Sequence, residues 1–568
     1  MIMKRIMAIV FLAILLAGCR QDRVTDQMKE NRVIKDVKAV VVSAHPQASH
    51  AGVMILKKGG NAVDAAVATG FALAVCYPAA GNIGGGGFML IRTSTGDHDL
   101  IDFREKAPQA ASKDMYLDAG RNVVTGLSTD THLAAGVPGS VDGMIRIHAK
   151  YGRLDFREII QPSVDLAANG FILTREQASS LNRLAEMFRQ KNPDGCAFVK
   201  EGQWEQGDTL CQPELSAALE RIRDYGREGF YAGLTARLIV DEMKRGNGII
   251  TADDLENYSS VFRKPLSSTY RGYDIVTCPP PSAGGIILLQ LLGMLEPFSP
   301  GEMKFHSPEM IHLIAEAQRR AFADRAKYAG DDDFIEMPVR EMLNGNYLKE
   351  RMASFDPLAA TPSSAIEAGD PVNFESQETT HYSVVDEEGN AVAVTTTLNG
   401  SYGSGIVVKG AGFLLNNEMD DFSVKPGFPN MYGLTGSLAN AIEPEKRMLS
   451  SMTPVIVEKE GKLFLVAGSP GGSTIPTSVF QVIINLIDYN MDPRVAVDTG
   501  RFHHQWLPDR ISIERNSVTA ESAGRLQKMG HVLHEVSGLG RVNAVFALQN
   551  GLLEGVADKR GDNSASGY

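Results

Sequence analysis

The chain has 568 residues, of which 43% are hydrophobic and 22% are charged. This composition is ordinary for a globular protein with a large buried core, and it argues against a fibrous or an intrinsically disordered protein. The formal net charge of -12, with no block of Lys and Arg, offers no electrostatic surface for nucleic acid, so chemistry on small molecules is expected.

The N-terminus reads MIMKRIMAIVFLAILLAGCR, in which Lys4 and Arg5 precede an apolar run. Such a run is typical of a secretory signal peptide and is too short for a stable transmembrane helix. The ending Leu-Ala-Gly-Cys resembles a bacterial lipobox, which implies a signal peptide over residues 1–18 and lipidation of Cys19. An ordinary cleaved signal is the alternative. We expect an exported protein, periplasmic or at the cell surface, with a lipid anchor in a membrane; Arg20, rather than Asp, favours the outer membrane.

A polar tether over residues 19–38 leads into the first part of the chain. The segment AVVVS at residues 39–43 predicts a strand, and NAVDAAVATGFALAVCYP, which is apolar nearly all round, predicts a helix inside the core. The run GGGG at residues 84–87 indicates close packing of the backbone, because no GK[ST] follows it. The pattern then becomes mainly helical, and Ser307 and Pro308 begin one long helix as its cap and first residue.

Residues 353–378 are rich in Pro, Ser and acidic residues and have no apolar period, which predicts a linker or an exposed tail. Beyond residue 379 strands dominate. The segments HYSVVD and AVAVTTTL alternate residue by residue around EEGN, so they predict a β-hairpin. The segments MTPVIVEKEGKLFLVAG and NAVFALQ predict further strands, with one helix near TSVFQVIINLIDY.

Four cysteines remain once Cys19 is set aside. Cys196 and Cys211 flank a short polar segment, and an oxidising compartment would permit a disulfide between them; two free thiols are the alternative. Cys76 and Cys278 lie in apolar surroundings and are predicted to be buried. None of these spacings resembles a zinc site.

Thr379 begins the first strand of the hairpin, directly after the linker. A threonine hydroxyl is a weak nucleophile unless a base lies beside it. A cut between Glu378 and Thr379 would free an α-amino group on the same residue, with a pKa of about 7.7–8.0 that makes it a usable base. On spacing alone, however, a Thr-Thr pair at a strand start more often has a structural role.

Eight motifs in order change that interpretation: AGNIGGGGFMLIR, DFREKAP, PPPSAGGI, TTHYSVVD, LLNNEMDDFSVKPG, LSSMTP, GSPGGS and RFHHQWLPD. On these motifs the chain from about residue 39 to 568 resembles the γ-glutamyltranspeptidases, or glutathione hydrolases, of the N-terminal-nucleophile hydrolase superfamily. The resemblance implies an α+β fold, a four-layer αββα sandwich with two antiparallel sheets at its centre. It also implies a proenzyme that cuts itself into a large subunit, residues 39–378, and a small subunit, residues 379–568, which stay together.

The resemblance further implies a substrate with a free α-amino acid head, a short methylene arm and a γ-amide. Its carboxylate is expected to bind Arg104 of DFREKAP, whose planar fork suits two oxygens, and the hydroxyls of Ser450 and Ser451 in LSSMTP. Read without the resemblance, the arginine would more often form a surface ion pair and the serines a turn.

The substrate ammonium is expected at Glu418 and Asp421 of NNEMDD, helped by the side-chain carbonyl of Asn399. Other family members place Gln at the position of Glu418. The Gly/Pro/Asn-rich residues 422–447, with Tyr432 near the middle, resemble the lid that covers this pocket in many relatives. We therefore expect a covered site.

Attack by the Thr379 hydroxyl on the γ-carbonyl would create an oxyanion. The backbone N–H groups of Gly471 and Gly472 in GSPGGS can point at one spot without a side chain in the way, although a plain Gly-rich turn is the alternative. Thr397, on the second hairpin strand, matches the family threonine that hydrogen-bonds and orients the nucleophile. These four residues are the expected catalytic set.

The family chemistry implies a γ-glutamyl-enzyme ester, which water releases in hydrolysis and an amino acid or dipeptide releases in transpeptidation. Glutathione is the expected donor, and neither a metal nor an organic cofactor is expected. His503 and His504 in RFHHQWLP are interpreted as core or interface residues, because adjacent strand residues point to opposite faces and acidic ligands are not near them in sequence.

Two other functions stay open. A cephalosporin acylase-like amidase of the same superfamily would need an apolar acyl pocket, and the charged residues expected around the head group argue against it. An inactive surface lipoprotein that binds amino acids or glutathione would have a damaged nucleophile or oxyanion turn, and neither is seen in the sequence.

Overall fold

The structure is a computed structural model, and it describes residues 32–366 and 379–568. The predictions for the signal peptide, Cys19 and Glu378 therefore lie outside the described residues. The strands are β1 (Val33–Val37), β2 (Val40–Ser43), β3 (Gly86–Arg92), β4 (His98–Asp102), β5 (Phe171–Ile172), β6 (Thr209–Leu210), β7 (Val261–Arg263), β8 (Leu266–Tyr270), β9 (Tyr273–Thr277), β10 (Thr380–Val385), β11 (Ala391–Thr397), β12 (Val455–Lys459), β13 (Lys462–Gly468), β14 (Phe502–His503), β15 (Ile511–Glu514), β16 (Leu533–Val536), β17 (Asn543–Ala547), β18 (Leu553–Ala557) and β19 (Ser564–Gly567).

The helices are α1 (Pro46–Lys57), α2 (Ala62–Cys76), α3 (Ser140–Tyr151), α4 (Phe156–Asn169), α5 (Arg175–Lys191), α6 (Pro213–Tyr225), α7 (Glu228–Tyr231), α8 (Gly233–Arg245), α9 (Ala252–Asn257), α10 (Gly284–Leu295), α11 (Pro308–Tyr328), α12 (Val339–Met342), α13 (Gly345–Met352), α14 (Ile475–Ile487), α15 (Pro493–Asp498) and α16 (Ala520–Lys528). In the two described ranges, none of these helices has both the length and the apolar character that a membrane span requires.

Two sheets form the centre of the described protein, and each has seven strands. The first sheet has the strand order β19-β2-β10-β11-β3-β4-β7, and the second has the order β1-β18-β17-β13-β12-β9-β8. Neighbouring strands in both sheets are antiparallel. Each sheet combines strands from before residue 366 with strands from after residue 379, as where β2 pairs with β10 and β9 with β12.

Alternating side chains bury both faces of each sheet. In β2, Val40 and Val42 pack between the sheets whereas Val41 packs against helices, and in β12 Ile456 faces the other sheet while its neighbours face away. Helices α1 and α2 cover the outer face of the first sheet, and α10 and α14 cover that of the second. The predicted four-layer αββα sandwich is therefore confirmed.

Several local predictions are also confirmed. Every residue of α2 is buried, and Ser307 caps α11 by accepting a hydrogen bond from the Met310 N–H. The glycines at residues 84–87 lie against backbone, since a Cβ on Gly85 would stand 2.0 Å from the Thr397 carbonyl oxygen. This run therefore serves backbone packing, as predicted.

The prediction of a tether up to residue 38 is wrong at its C-terminal end. Residues 33–37 form β1 at the edge of the second sheet, where Val33 lies opposite Val556 and Val37 opposite Leu553. Apolar side chains on the strand find apolar partners across the pair, which outweighs the polar character of the segment.

The predicted linker over residues 353–378 is also partly wrong. Ser363 is 1% exposed and donates its hydroxyl to the Trp506 carbonyl at 2.6 Å, and Ile366 is 7% exposed. The segment up to Ile366 is therefore packed against the C-terminal part of the chain. Residues 367–378 lie outside the described residues.

The cysteines that the structure describes, Cys76, Cys196, Cys211 and Cys278, are all free thiols. The disulfide considered between Cys196 and Cys211 is thus not formed. Cys76 and Cys278 are buried, as predicted.

Candidate active site

Thr379 lies at the entry to β10 and is only 4% exposed. The ladder between β10 and β11 sets Thr380 opposite Thr396, so Thr379 comes opposite Thr397 at the end of the hairpin. Successive strand residues face opposite sides of a sheet, which puts Thr379 on the same face as His381. That face is turned toward the second sheet, because a Cβ on Gly468 would stand 2.4 Å from the His381 ring.

The contact between Gly468 and His381 also locates the glycine turn. Gly468 ends β13, and Gly471 and Gly472 follow it by three and four residues, while Thr379 precedes His381 by two. Both segments therefore lead to the same end of the sandwich. Thr379 and Gly472 line one pocket there.

The conformation of the turn fixes the direction of the Gly472 N–H group. Gly471 has φ 131° and Gly472 has φ 52°, values that favour glycine. The Gly471 carbonyl accepts hydrogen bonds from the Thr474 N–H at 2.9 Å and from its hydroxyl at 2.8 Å. Because C=O and N–H point in opposite directions across a trans peptide, the Gly472 N–H points away from Thr474. The N-terminus of α14 follows directly, and it favours negative charge nearby.

Thr397 and Asn399 form the next part of the pocket wall. The Thr397 hydroxyl accepts the Asn399 N–H at 2.8 Å, and the Asn399 side chain donates to the Asn417 carbonyl at 2.9 Å. The Asn399 Oδ1 is buried and has no hydrogen-bond partner within residues 32–366 and 379–568. It is therefore an acceptor suited to a cation. The expected hydrogen bond between Thr397 and Thr379 stays a prediction.

Arg104 is wholly buried among three carboxylates. Its Nη1 contacts Glu418 Oε1 and lies 3.4 Å from Glu105 Oε2, and its Nη2 lies 2.5 Å from Asp421 Oδ2. Burial by itself would lower the pKa of Arg104, but the carboxylates, Glu418 foremost, hold it above its usual value. Burial raises the pKa of Glu418 and of Asp421, and it raises the pKa of Glu105 to about 7. The arginine and the acids predicted for the two ends of a zwitterion are thus in direct contact.

The acids form part of the pocket wall, whereas Arg104 contacts the acids and is not itself among the lining residues. Glu418 and Asp421 both line the pocket. The second oxygen of Glu418, Oε2, is buried without a hydrogen-bond partner in the described part of the chain. That oxygen and Asn399 Oδ1 are two acceptors in the same pocket, and each would gain from a donor that carries positive charge.

Arg325, on α11, lines the same pocket and was missed in the sequence. It is 5% exposed, its Nη1 donates to the Thr435 carbonyl at 3.4 Å, and its Nε finds no acceptor among the described residues. Burial lowers the pKa of Arg325 to about 10, although the nearby Asp421 opposes this change. Its sequence context, FADRAKY, is indistinguishable from a charged last turn of a surface helix.

Ser450 and Ser451 line the pocket and are held by the PPPSAGGI segment. The Ser450 N–H donates to the Pro281 carbonyl at 2.9 Å, and the Ser450 carbonyl accepts from the Ala283 N–H at 2.9 Å. The Ser450 hydroxyl oxygen accepts the Met452 N–H at 3.1 Å, which leaves its proton free to point elsewhere.

Tyr432, from the predicted lid over residues 422–447, lines the pocket. Its hydroxyl donates to the Asn399 carbonyl at 2.5 Å, and its ring lies on Gly472, where a Cβ would be 2.6 Å from Cδ1. The pocket beneath has a free volume of about 20 Å³, roughly the space of one water molecule. A space of this size cannot hold a γ-glutamyl group unless the residues that line it rearrange.

Gln505 connects the lid to the glycine turn, a role that was missed in the sequence. Its Nε2 donates to the Tyr432 carbonyl at 3.2 Å, and its Oε1 accepts from the Ser473 hydroxyl at 2.7 Å. His503 lies within 3.0 Å of the same Oε1, and His504 is 1% exposed with a pKa that burial lowers to about 4. Both histidines are buried in the core, as predicted.

Two clusters outside the pocket have metal-binding residue types, but each is already neutralised by protein groups. Asp331, Asp332 and Asp333 surround the guanidinium of Arg263. In the other cluster, His312 Nδ1 and His531 Nε2 are 2.7 Å apart and hydrogen-bonded, and Glu316 binds Arg319 and Arg320. We assign neither cluster to a metal.

The chain is similar to known proteins over most of its length. The profile of the gamma-glutamyltranspeptidase family matches residues 48–568. A glutathione hydrolase proenzyme from Escherichia coli (strain K12) is 45% identical over 538 residues, which cover 94% of this chain and 93% of the relative.

Two solved structures add to this. The gamma-glutamyltranspeptidase of Helicobacter pylori is 45% identical with a TM-score of 0.57, over 58% of this chain and 94% of that one. A cephalosporin acylase from Bacillus halodurans has a TM-score of 0.80 at 24% identity, over 94% and 97% of the two chains, and so shares the fold. With its family profile matched almost from end to end and a threonine at the entry of the hairpin beside a glycine turn, this chain belongs to the gamma-glutamyltranspeptidase family.

Proposed function

We propose that this chain is an autoprocessed γ-glutamyltransferase and glutathione hydrolase. The observation that carries the proposal is one buried pocket in which Thr379 and Gly472 meet acids, arginine and hydroxyls suited to an α-amino acid. A nucleophile, an oxyanion donor and a zwitterion site are the parts that γ-glutamyl transfer requires.

Cleavage between Glu378 and Thr379 would mature the enzyme. It gives Thr379 a free α-amino group, which takes the proton from the hydroxyl as it attacks. The large subunit ends at Glu378 and the small subunit begins at Thr379. Both pieces stay together because both sheets contain strands from each of them.

The γ-glutamyl head would exchange partners with the internal ion pairs. Its ammonium takes Glu418, Asp421 and the Asn399 carbonyl, while its carboxylate takes Arg104, Ser450 and Ser451. A zwitterion supplies one charge of each sign, so the exchange leaves none of the buried charges unpaired. Arg325, which lines the pocket with an unsatisfied Nε, is a second cation for the carboxylate.

Chemistry then proceeds in two steps. The Thr379 oxygen bonds to the γ-carbonyl carbon, the Gly471 and Gly472 N–H groups stabilise the oxyanion, and the amine leaves with a proton from the α-amino group of Thr379. Water or the amine of an amino acid or dipeptide next attacks the ester and restores the hydroxyl. The charges in the pocket suit a polar γ-glutamyl group rather than the apolar acyl group of a cephalosporin acylase.

The experiment is a gel and an assay on one preparation. Wild-type protein should run as two bands of about 360 and 190 residues, with TTHYS at the N-terminus of the smaller one, and should release p-nitroaniline from L-γ-glutamyl-p-nitroanilide. Thr379→Ala should run as one uncut, inactive chain. An intact chain with full activity would refute the mechanism.

Export and anchoring form a separate part of the proposal. The lipobox-like ending supports lipidation of Cys19 and an exported, membrane-anchored enzyme. Cys19→Ser should abolish labelling of cells by a fatty-acid analogue. Labelling that persists in this variant would remove the anchor from the proposal.

A further inference from the structure

Asn440 joins the two segments that form the head-group end of the pocket. Asp421, expected for the ammonium, belongs to the NNEMDD turn, and Ser450 and Ser451, expected for the carboxylate, follow Leu449. Asn440 lies on the chain between these segments and is 3% exposed. Its side-chain Nδ2 donates to the Asp421 carbonyl at 2.7 Å, and its Oδ1 accepts the Leu449 N–H at 3.1 Å. One planar amide therefore connects the two segments.

The orientation of this amide follows from its partners. The Asp421 carbonyl can only accept and the Leu449 N–H can only donate, so a single orientation of the amide satisfies both. The main chain of Asn440 is held as well, because its carbonyl accepts the Ser423 N–H at 2.8 Å. Asn440 thus binds residues 421–423 twice and Leu449 once.

Arg104 connects the same two segments in a different way. Its Nη2 lies 2.5 Å from Asp421 Oδ2 and 3.3 Å from the Leu449 carbonyl. In the proposed exchange the substrate carboxylate takes Arg104 and the ammonium takes Asp421, so this ion pair is given up. The side-chain bonds described for Asn440 reach only main-chain groups. They can therefore persist when the substrate is bound.

The spacing of the two segments matters because of the geometry of the head group. Its ammonium and carboxylate share one carbon atom, so the substrate cannot adjust the distance between them. The groups that bind them must be held within about 0.5 Å of their productive positions. A site that becomes ordered only during binding loses affinity by the free energy of ordering it. A head with a single charge engages one segment and makes no demand on the spacing.

We propose that Asn440 is a positioning residue that fixes the distance between the ammonium and carboxylate subsites, and thereby makes the enzyme selective for donors whose head carries both charges. The inference rests on the proposed function. Asn440 acts through Asp421 and Leu449, which both line the pocket, and in the described part of the chain it is not a lining residue itself.

The test measures three competitors of the hydrolysis of L-γ-glutamyl-p-nitroanilide. They are L-γ-glutamylanilide, the monoanilide of glutarate, which lacks the ammonium, and the anilide of 4-aminobutyrate, which lacks the carboxylate. The wild type should bind the first most tightly, because either truncated head leaves a buried charge of the pocket without a partner. The inhibition constant Ki is the right readout, since it does not depend on how much of a preparation is folded.

Asn440→Ala should change these constants unequally. The Ki of L-γ-glutamylanilide should rise at least about tenfold, since the Asp421 carbonyl and the Leu449 N–H lose their shared partner. The Ki of each truncated anilide should change by less than about threefold. Asn440→Ser, whose shorter side chain keeps one hydroxyl for these groups, should fall between alanine and the wild type. It takes the place of Asn440→Ala if the alanine variant does not fold.

Asn192 provides the matched control. Its side chain also connects main-chain groups, since Nδ2 donates to the Gly405 carbonyl at 2.9 Å and Oδ1 accepts the Val407 N–H at 2.8 Å. Asn192 is 8% exposed and lies outside the lining of the Thr379 pocket. Asn192→Ala removes a connection of the same kind, so it should lower Tm and leave the ratios of the three Ki values unchanged.

Two results would overturn the inference. One is a change in the Ki of the truncated anilides that equals or exceeds the change for L-γ-glutamylanilide in Asn440→Ala, which would indicate a structural role alone. The other is an unchanged Ki for L-γ-glutamylanilide. In both cases the wild type still hydrolyses the donor. A wild type that releases no p-nitroaniline would instead refute the proposed function, and this inference with it.

Discussion

Arg325 is expected to destabilise the folded protein and to contribute to substrate binding. Arg325→Met should therefore raise the stability of the protein and weaken its affinity for the donor. Burial holds the pKa of Arg325 at about 10 instead of 12.5. This difference corresponds to about 3 kcal/mol of unfavourable charge burial at neutral pH. Because the folded-state pKa is lowered, the cost is present throughout the range below pH 10 and disappears only as the pH rises above it.

Methionine keeps the aliphatic stem and removes the charge. The pKa of about 10 already includes the attraction of Arg325 for Asp421, so a net stabilisation of about 1–3 kcal/mol is expected. For a chain of this size the unfolding entropy makes 1 kcal/mol worth about 1 °C, so Tm should rise by about 1–3 °C. The KM for L-γ-glutamyl-p-nitroanilide should rise by about tenfold, because the substrate carboxylate loses a cation.

Arg320→Met is the control on the same helix. Arg320 is as buried as Arg325, but its donors are satisfied by the Arg351 carbonyl, Glu316 and Ser354 at 2.7–2.8 Å. Its removal leaves Glu316 short of a partner, so it should destabilise the protein by about 3–5 kcal/mol. Thermal unfolding and donor kinetics on both variants give the answer. Loss of stability in Arg325→Met, or an unchanged KM, would refute the reasoning.

Three further predictions concern the pocket. Gly472→Ala should lower kcat by at least about tenfold. The φ of 52° at Gly472 disfavours other residues, and the new Cβ would stand 2.6 Å from the Tyr432 ring. An unchanged kcat would contradict the role of the turn. Arg104→Lys should raise the donor KM by about tenfold or more, since lysine lacks the fork, and a wild-type KM would exclude Arg104 from the site. Burial raises the pKa of Glu105 from 4.5 to about 7. Between these pH values the folded protein keeps the Glu105 proton, whereas the unfolded chain has lost it. The free energy of unfolding should therefore fall as the pH rises from 4.5 to 7. Glu105→Gln should remove that slope and gain about 3 kcal/mol at higher pH, and denaturant titrations from pH 4 to 8 would show whether the slope persists.

The elements with a strong local signal were predictable. The alternation on both sides of EEGN fixes β10 and β11, and therefore the place of Thr379, because a hairpin register follows from its turn. The helix α2, apolar all round, had to lie in the core. In both cases the pattern of neighbouring residues decides the structure.

The rest depended on contacts between distant segments. Neither β1 nor the packing of Ser363 against Trp506 could be inferred, because short segments of mixed polarity become ordered only through their partners. Arg325 and Gln505 were missed for the same reason. Local sequence separates neither of them from ordinary polar residues, and only the fold brings them to Thr379 and its lid.

Because both sheets contain strands from each piece, cleavage changes how the protein unfolds but not how its pieces are held. Where β2 pairs with β10 and β9 with β12, the two pieces share both sheets, so they can separate only when the sheets themselves unfold. Because unfolding of a cleaved molecule releases two chains, its melting midpoint should rise with protein concentration, whereas that of an uncut chain should not. Once made, the free amine of Thr379 stays in the molecule for as long as that molecule remains folded.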